Sequence, residues 1–147
     1  MAFSPERAGG VPNGELVRLC YSGKYTEKEM IKQLVGKAGF NAYCGSNDAR
    51  DIEAMAKNGD KHAQLVFDAF LYQVSKDIGA QAAVLSGKVD QIILTGGIAY
   101  GKYATEEITK RVQFIAPVTV YGGEDELLAL AQGALRVLNG EEEAKVY

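Results

Sequence analysis

The stretch that most limits how this chain can fold is Val89-Asp90-Gln91-Ile92-Ile93-Leu94-Thr95-Gly96-Gly97-Ile98-Ala99-Tyr100-Gly101-Lys102. Val89 to Leu94 is a short, β-rich apolar run, the pattern of a buried parallel strand. It breaks off at Thr95-Gly96-Gly97, where missing side chains let another group approach the backbone closely. Open α/β sheets take their ligands in this place, beyond the carboxyl end of a strand. Helical patterns flank it on both sides, so the strand and its glycines are expected to floor a ligand cleft.

The remainder of the chain reads as helix, loop and one further strand. Met1 to Asn13 is rich in Gly and Pro and has no periodicity, so it is a loop. It is either a floppy tail or a connection that holds Arg7 between turn residues. Gly14–Tyr21 and Thr26–Val35 are short helical patterns. Thr26 followed by Glu29 spells a capping box, and Gly36 fits the stop. Gly39 to Gly45 is read as short and irregular or extended. A helix follows from about Asp48 to Lys57, ended by the turn signal Asn58-Gly59-Asp60.

The longest helix is expected from Asp60 to about Leu85. Ala63, Phe67, Phe70, Val74, Ile78, Ala82 and Leu85 form its apolar face. Gly79 and several alanines thin its second half, which suits close packing on the sheet. Beyond the glycines, Thr105–Arg111 is helical, Phe114–Val120 is a second strand and Tyr121-Gly122-Gly123 a turn. Glu124–Leu138 is the last helix, with Leu127, Leu130, Ala131, Ala134, Leu135 and Leu138 expected to face inward. The fold class is therefore α/β, helix-rich, with a small and largely parallel sheet. A sheet this small looks incomplete.

Composition narrows the function. At 147 residues the chain suffices for one domain with a core. A formal charge of −3 and a pI near 5.2 leave no basic footprint for nucleic acid. No apolar run has the length of a membrane span, and no signal-peptide pattern opens the chain. Cys20 and Cys44 form no CxxC, and two unpaired thiols suit a reducing cytoplasm. His62, the only histidine, makes a histidine-based zinc site or a Ser-His triad hard to build.

Three places could carry chemistry. Gly96 to Lys102 nearly spells a phosphate-binding P-loop, but Tyr103 stands where that motif needs Ser or Thr for magnesium. The dinucleotide fingerprint fails as well, because the glycines fall at the wrong offsets. Glu124-Asp125-Glu126 opens the last helix. Carboxylates there favour the positive end of the macrodipole, or one of them helps hold hydrated magnesium. Asp48 and Arg50 sit at another helix start, as a cap and a solvated charge or as a wall of a nucleotide pocket. Arg7, within Pro5-Glu6-Arg7-Ala8-Gly9-Gly10, could steady a phosphoryl group or carboxylate with its planar fork of donors.

Five stretches in order resemble the acetate kinase family, in its butyrate kinase branch. They are Phe3 to Gly10, Ala42 to Asp48, Val89 to Tyr100, Phe114 to Val118, and Gly123 to Leu138. The resemblance implies the helix-rich C-terminal half of an actin-like (ribonuclease H-like) ATPase fold. Residues 1–147 would then be a single C-terminal nucleotide-binding domain whose N-terminal partner domain is absent. It implies reversible phosphoryl transfer from ATP to butyrate or a related short-chain carboxylate, with Mg²⁺ bridging the phosphates and ADP as product. By position, Arg7 resembles the family's catalytic arginine. Asp48, Ala49 and Arg50 resemble a segment lining the adenosine pocket, although Ala49 stands where acetate-branch relatives often carry an aromatic. Gly96, Gly97 and Ile98 resemble the adenosine motif. Glu124 and Glu126 lie in the segment that supplies a magnesium-linked carboxylate. A cytoplasmic homodimer or higher homo-oligomer is implied as well.

Overall fold

The computed structural model describes residues 1–123 and 125–145. In chain order it contains α1 (Asn13–Cys20), α2 (Glu27–Leu34), α3 (Gly39–Cys44), α4 (Ala49–Lys57) and α5 (Lys61–Val84). These are followed by β1 (Ile92–Gly96), a 3₁₀ turn (Gly97–Tyr100), α6 (Lys102–Val112), β2 (Val118–Gly122) and α7 (Glu126–Leu138). The α/β, helix-rich reading with a small parallel sheet is therefore what the chain adopts.

Local signals set the starts of three helices, α2, α4 and α5. The Thr26 side chain accepts from Glu29 N, while the Glu29 carboxylate takes the Thr26 N–H at 2.8 Å, a complete capping box. Asp60 accepts from His62 N and Ala63 N at the start of α5, and Asp48 accepts from Arg50 N at the start of α4. Each carboxylate satisfies donors that a helix N-terminus leaves orphaned.

The core gathers around the first half of α5. Phe67, Phe70 and Leu71 are buried there together with Phe40 of α3, Ile52 of α4, and Ile108 and Val112 of α6. Phe3 joins them from the opening loop, its ring meeting Phe40 edge-on with centroids 5.7 Å apart. That arrangement suits the ring quadrupoles. It also decides the nature of the first ten residues. Ala8 N donates to Leu34 O, Gly36 N and Ala38 N to Glu6 O, Phe40 N to Ser4 O and Asn41 N to Pro5 O. The opening loop is a stitched part of the fold, not a floppy tail.

Several expectations are corrected. Gly39 to Cys44 is helical rather than irregular, because the opening loop supplies partners for its first amides that no local pattern reveals. Strand β1 begins at Ile92, not Val89, and runs on to Gly96. Its first ladder bond is Ile92 N to Pro117 O. Strand β2 begins at Val118, since Phe114 to Ala116 still turn out of α6, and Ile115 N bonds Val112 O. Tyr121 and Gly122 are not a turn but the end of β2, paired in parallel with Thr95 and Gly96. Helix α6 is longer than Thr105–Arg111, with Gly101 at its N-cap.

The outer apolar faces also differ from expectation. None of α7 is buried, so Leu127, Leu130, Ala131, Ala134, Leu135 and Leu138 do not face inward. Leu127, Leu130 and Leu138 are 85%, 70% and 81% exposed. The thin second half of α5 does not close on the sheet either. It leaves an apolar groove of about 380 Å³ between Val74, Ile78, Ala82 and Leu85 on one side and Ile92 and Ile115 on the other. Periodicity reveals an apolar face; it cannot say what covers it.

Candidate functional site

Two segments far apart in sequence form opposite walls of one cleft of about 890 Å³. The first wall is the entry to α4. Gly45, in the left-handed region at φ +76°, ends α3, and Ser46 Oγ then accepts from Asp48 N at 3.1 Å and donates to Asp51 Oδ2 at 2.6 Å. This fixes Asp48 as the cap. Its carboxylate also takes Arg50 Nε at 2.9 Å. The hydrogen bonds from the Arg50 side chain, and then from the Arg50 amide, hold the Asp48 carboxyl down at about 2. Asp48 is thus a fixed anion with its charge matched by Arg50, and Asp48, Ala49 and Arg50 all line the cleft.

The second wall is the end of β1. Gly96, at φ +89°, turns the chain out of the sheet. Its amide and carbonyl pair with Gly123 at 3.3 and 3.2 Å, closing the strand ends together. Gly97 and Ile98 follow on the cleft wall, then Tyr100 and Gly101. A Cβ built on Gly97 would meet nothing within 4 Å, so a side chain at that position would enter the space of the cleft. The Tyr100 side chain lies against Gly122 and Gly123, where added Cβ atoms would come within 2.9 Å of its ring and 2.4 Å of its hydroxyl oxygen.

The structure brings Asp48, Ala49, Arg50, Gly97 and Ile98 together, as the spacing alone could not. Gly96 shapes the wall from behind and does not line it. Arg7 is exposed and does not line the cleft, although Pro5, two residues earlier, does. Its backbone is held by Ser4, with Arg7 N donating to Ser4 Oγ at 3.1 Å and Arg7 O accepting from Ser4 N at 3.0 Å. Glu126 is the exposed first residue of α7, outside the cleft lining. Glu124 lies outside the described residues. Among the described residues no cluster of His, Cys, Asp or Glu could by itself hold a metal ion.

Sequence reasoning missed Asn47, Glu53, Phe67, Tyr100 and Gly101, which also line the cleft. For Glu53 a signal existed: it stands four residues after Ala49, hence on the same helix face. For Phe67 there was none, because it reads as one more apolar position on α5.

The cleft suits a nucleotide on its own chemistry. Its volume falls in the range of small-molecule sites. It combines bare glycine backbone at a strand end, the apolar Ala49, Phe67 and Ile98, and a few fixed polar groups. Its two carboxylates are already paired, Asp48 with Arg50 and Glu53 with Lys57. A divalent cation arriving here would therefore be carried chiefly by phosphate oxygens and water, as hydrated magnesium commonly is.

Known proteins match both the sequence and the fold. The chain is 62% identical over 146 residues to Butyrate kinase 2 of Clostridium acetobutylicum, covering 99% of this chain and 41% of that protein. A probable butyrate kinase of Clostridium botulinum is 57% identical over 145 residues, with the same coverage. Among solved structures, Porphyromonas gingivalis acetate kinase superposes with a TM-score of 0.81 at 24% identity, over 93% of this chain and 41% of that one. Entamoeba histolytica acetate kinase gives 0.77 at 19% identity, over 91% and 42%. The chain thus spans about two-fifths of the length of these relatives. The profile of the Acetokinase family matches residues 5–144, and this chain belongs to that family.

Proposed function

We propose that this chain is the nucleotide-binding part of a kinase that moves a phosphoryl group reversibly between ATP and butyrate or a related short-chain carboxylate. The observation that carries this reading is the meeting, in one cleft, of Asp48-Ala49-Arg50 with Gly97-Ile98. Family membership gives that meeting its meaning, and the 57–62% identity to butyrate kinases favours a four-carbon acid or a close analogue. The adenosine would lie between the α4 entry and the 3₁₀ turn, with its phosphates directed towards the bare backbone beyond β1.

The acceptor carboxylate is ionised at neutral pH and needs no base to become a nucleophile. Catalysis then rests on placing it in line with the γ-phosphorus and on stabilising charge in flight. Arg7 is the group of this chain suited to that task, with a planar fork on a backbone already fixed. The acidic start of α7 (Glu124, Glu126), nearest in sequence to the Gly96–Gly123 closure, would help hold a hydrated Mg²⁺, which would supply charge neutralisation of the phosphates. As a lone piece the chain binds nucleotide without turnover, since excluding water and aligning the acceptor need a second wall. The whole enzyme would be a homodimer or higher homo-oligomer.

Calorimetric titration of Mg²⁺-ADP into this chain tests the reading, with Gly97→Leu as the control. The leucine side chain would project into open space without backbone strain, so the fold should survive while the cleft is filled. Saturable binding that the substitution abolishes, with an unchanged circular dichroism spectrum, is expected. Absence of binding by a folded chain would overturn the assignment of the nucleotide site to this piece.

A further inference from the structure

Resting on the reading of Arg7 as the group that steadies the phosphoryl group in flight, we propose that Ser4 is the positioning residue of Arg7. The Ser4 hydroxyl holds the peptide from which the guanidinium reaches out, and so sets where its donors stand.

The bonds that fix the chain at Arg7 are of two kinds. On either side of it, Glu6 O accepts from Gly36 N at 2.7 Å and Ala8 N donates to Leu34 O at 2.9 Å. These two bonds make the antiparallel bridge between Arg7 and Val35. Both are made by backbone, and both hold the neighbours of Arg7 rather than Arg7. Its own peptide groups go to Ser4: Arg7 N donates to Ser4 Oγ at 3.1 Å, and Arg7 O accepts from Ser4 N at 3.0 Å. Ser4 is a firm post for them. Its carbonyl accepts from Phe40 N at 3.3 Å, and Phe3 before it is buried in the core. Gly39 crowds the same spot, since a Cβ there would fall 1.7 Å from Ser4 O and 3.0 Å from Arg7 O.

Of these four bonds at Arg7, only the one to Ser4 Oγ is made by a side chain. A single substitution can therefore remove it and leave the backbone bonds of the loop in place. The guanidinium has no ion-pair partner among the described residues. Arg7 is exposed as well, so its peptide is what aims it. A long side chain turns a small tilt of that peptide into a large displacement at its tip. In-line phosphoryl transfer is sensitive to such displacement, since misplacing a reacting group by about 1 Å costs on the order of a hundredfold in rate. A solvent-accessible hydroxyl adds little to a loop that its backbone bonds already hold. What remains for it is placement.

The test is made in a full-length kinase carrying this sequence, by measuring kcat and the KM values for ATP and butyrate. Ser4→Ala and Ser4→Val remove the hydroxyl, while Ser4→Thr keeps it at the bulk of valine. The two hydroxyl-free variants are expected to lose about tenfold in kcat with KM for ATP unchanged, and threonine to restore the native rate. In an Arg7→Ala background, where the rate is already low, Ser4→Val should cost nothing further, because the hydroxyl acts only through Arg7. Native kcat in both hydroxyl-free variants, beside an impaired Arg7→Ala, overturns the proposal and leaves the reading of Arg7 intact. An equal fold loss from Ser4→Val with and without Arg7 also overturns it, since Ser4 would then act on something else. So does a threonine variant as slow as the valine one, which would make shape the cause. Should Ser4→Ala unfold, the threonine and valine pair decides; loss of the folded circular dichroism spectrum in both hydroxyl-free variants makes Ser4 a structural residue and the proposal wrong. Native turnover by Arg7→Ala overturns the reading of Arg7 and the proposal together.

Discussion

At the scale of single residues, the tightest constraint in the molecule is Gly39. It has φ +59°, and a Cβ there would fall 1.7 Å from the Ser4 carbonyl oxygen. The opening loop and α3 approach that closely only because the side chain is missing. Gly39→Ala is therefore expected to cost about 3 kcal/mol or more, from left-handed strain and backbone overlap together. The urea midpoint is the measurement. A loss below about 1 kcal/mol would mean the loop is not seated as described. The contrast with Gly97 is instructive, since that glycine meets no obstacle and matters for what it leaves open. Sequence alone singles out Gly97, just beyond a strand, and leaves Gly39 unremarked in a segment read as irregular. What separates them is a carbonyl thirty-five residues away for one and an open cleft for the other.

At the scale of elements, α5 and α6 are joined by more than apolar contact. Tyr103 Oη donates to Asp68 Oδ1 at 2.6 Å, Gln64 Nε2 donates to Tyr103 Oη at 3.0 Å, and Gln64 Nε2 also donates to Asp68 Oδ2 at 2.9 Å. The Tyr103 ring stacks on Phe67 with centroids 6.1 Å apart. The hydrogen bond to Asp68, with some burial, raises the phenol above its usual value, which keeps it a donor. The residue that spoils the P-loop reading is thus a clasp, and it holds the helix following the glycine turn. Tyr103→Phe should cost about 1–2 kcal/mol by removing the hydroxyl while keeping the stack. Guanidinium unfolding would reveal it, and an unchanged midpoint would show the triad to be idle. The caps at Thr26 and Asp48 were legible in advance because those side chains act within three residues of themselves. Strand ends were not: β1 and β2 are defined by each other, and short apolar runs carry no mark of where pairing starts.

The whole molecule carries a well-packed centre and bare flanks. Among the described residues the sheet has two strands, with β2 on one side of β1, and parallel sheets are normally covered on both faces. Ile93 is 59% exposed, α7 lies uncovered, and the grooves beside α5 stay open. The cleft was legible in part: the glycines and the Asp48 segment announced themselves by residue type, while Glu53 and Phe67 became site residues only once α4 and α5 were packed. The same reasoning separates two kinds of apolar residue that sequence cannot tell apart. Leu130→Glu should leave the stability of this chain within about 0.5 kcal/mol, because that side chain is largely exposed. Phe40→Ala, fully buried, should cost about 3–5 kcal/mol. Thermal midpoints of the two variants, measured side by side, decide it. A large loss from the leucine would place α7 in the core after all.

The stitching of the first ten residues to the segment between α2 and α3 also determines when the disorder of that loop is given up. Its backbone freedom is surrendered once, during folding, together with the burial of Phe3. A molecule that later meets the Arg7 guanidinium has only the rotations of that one side chain left to freeze. Association there would not carry the entropy deficit that accompanies a disorder-to-order transition of a binding loop.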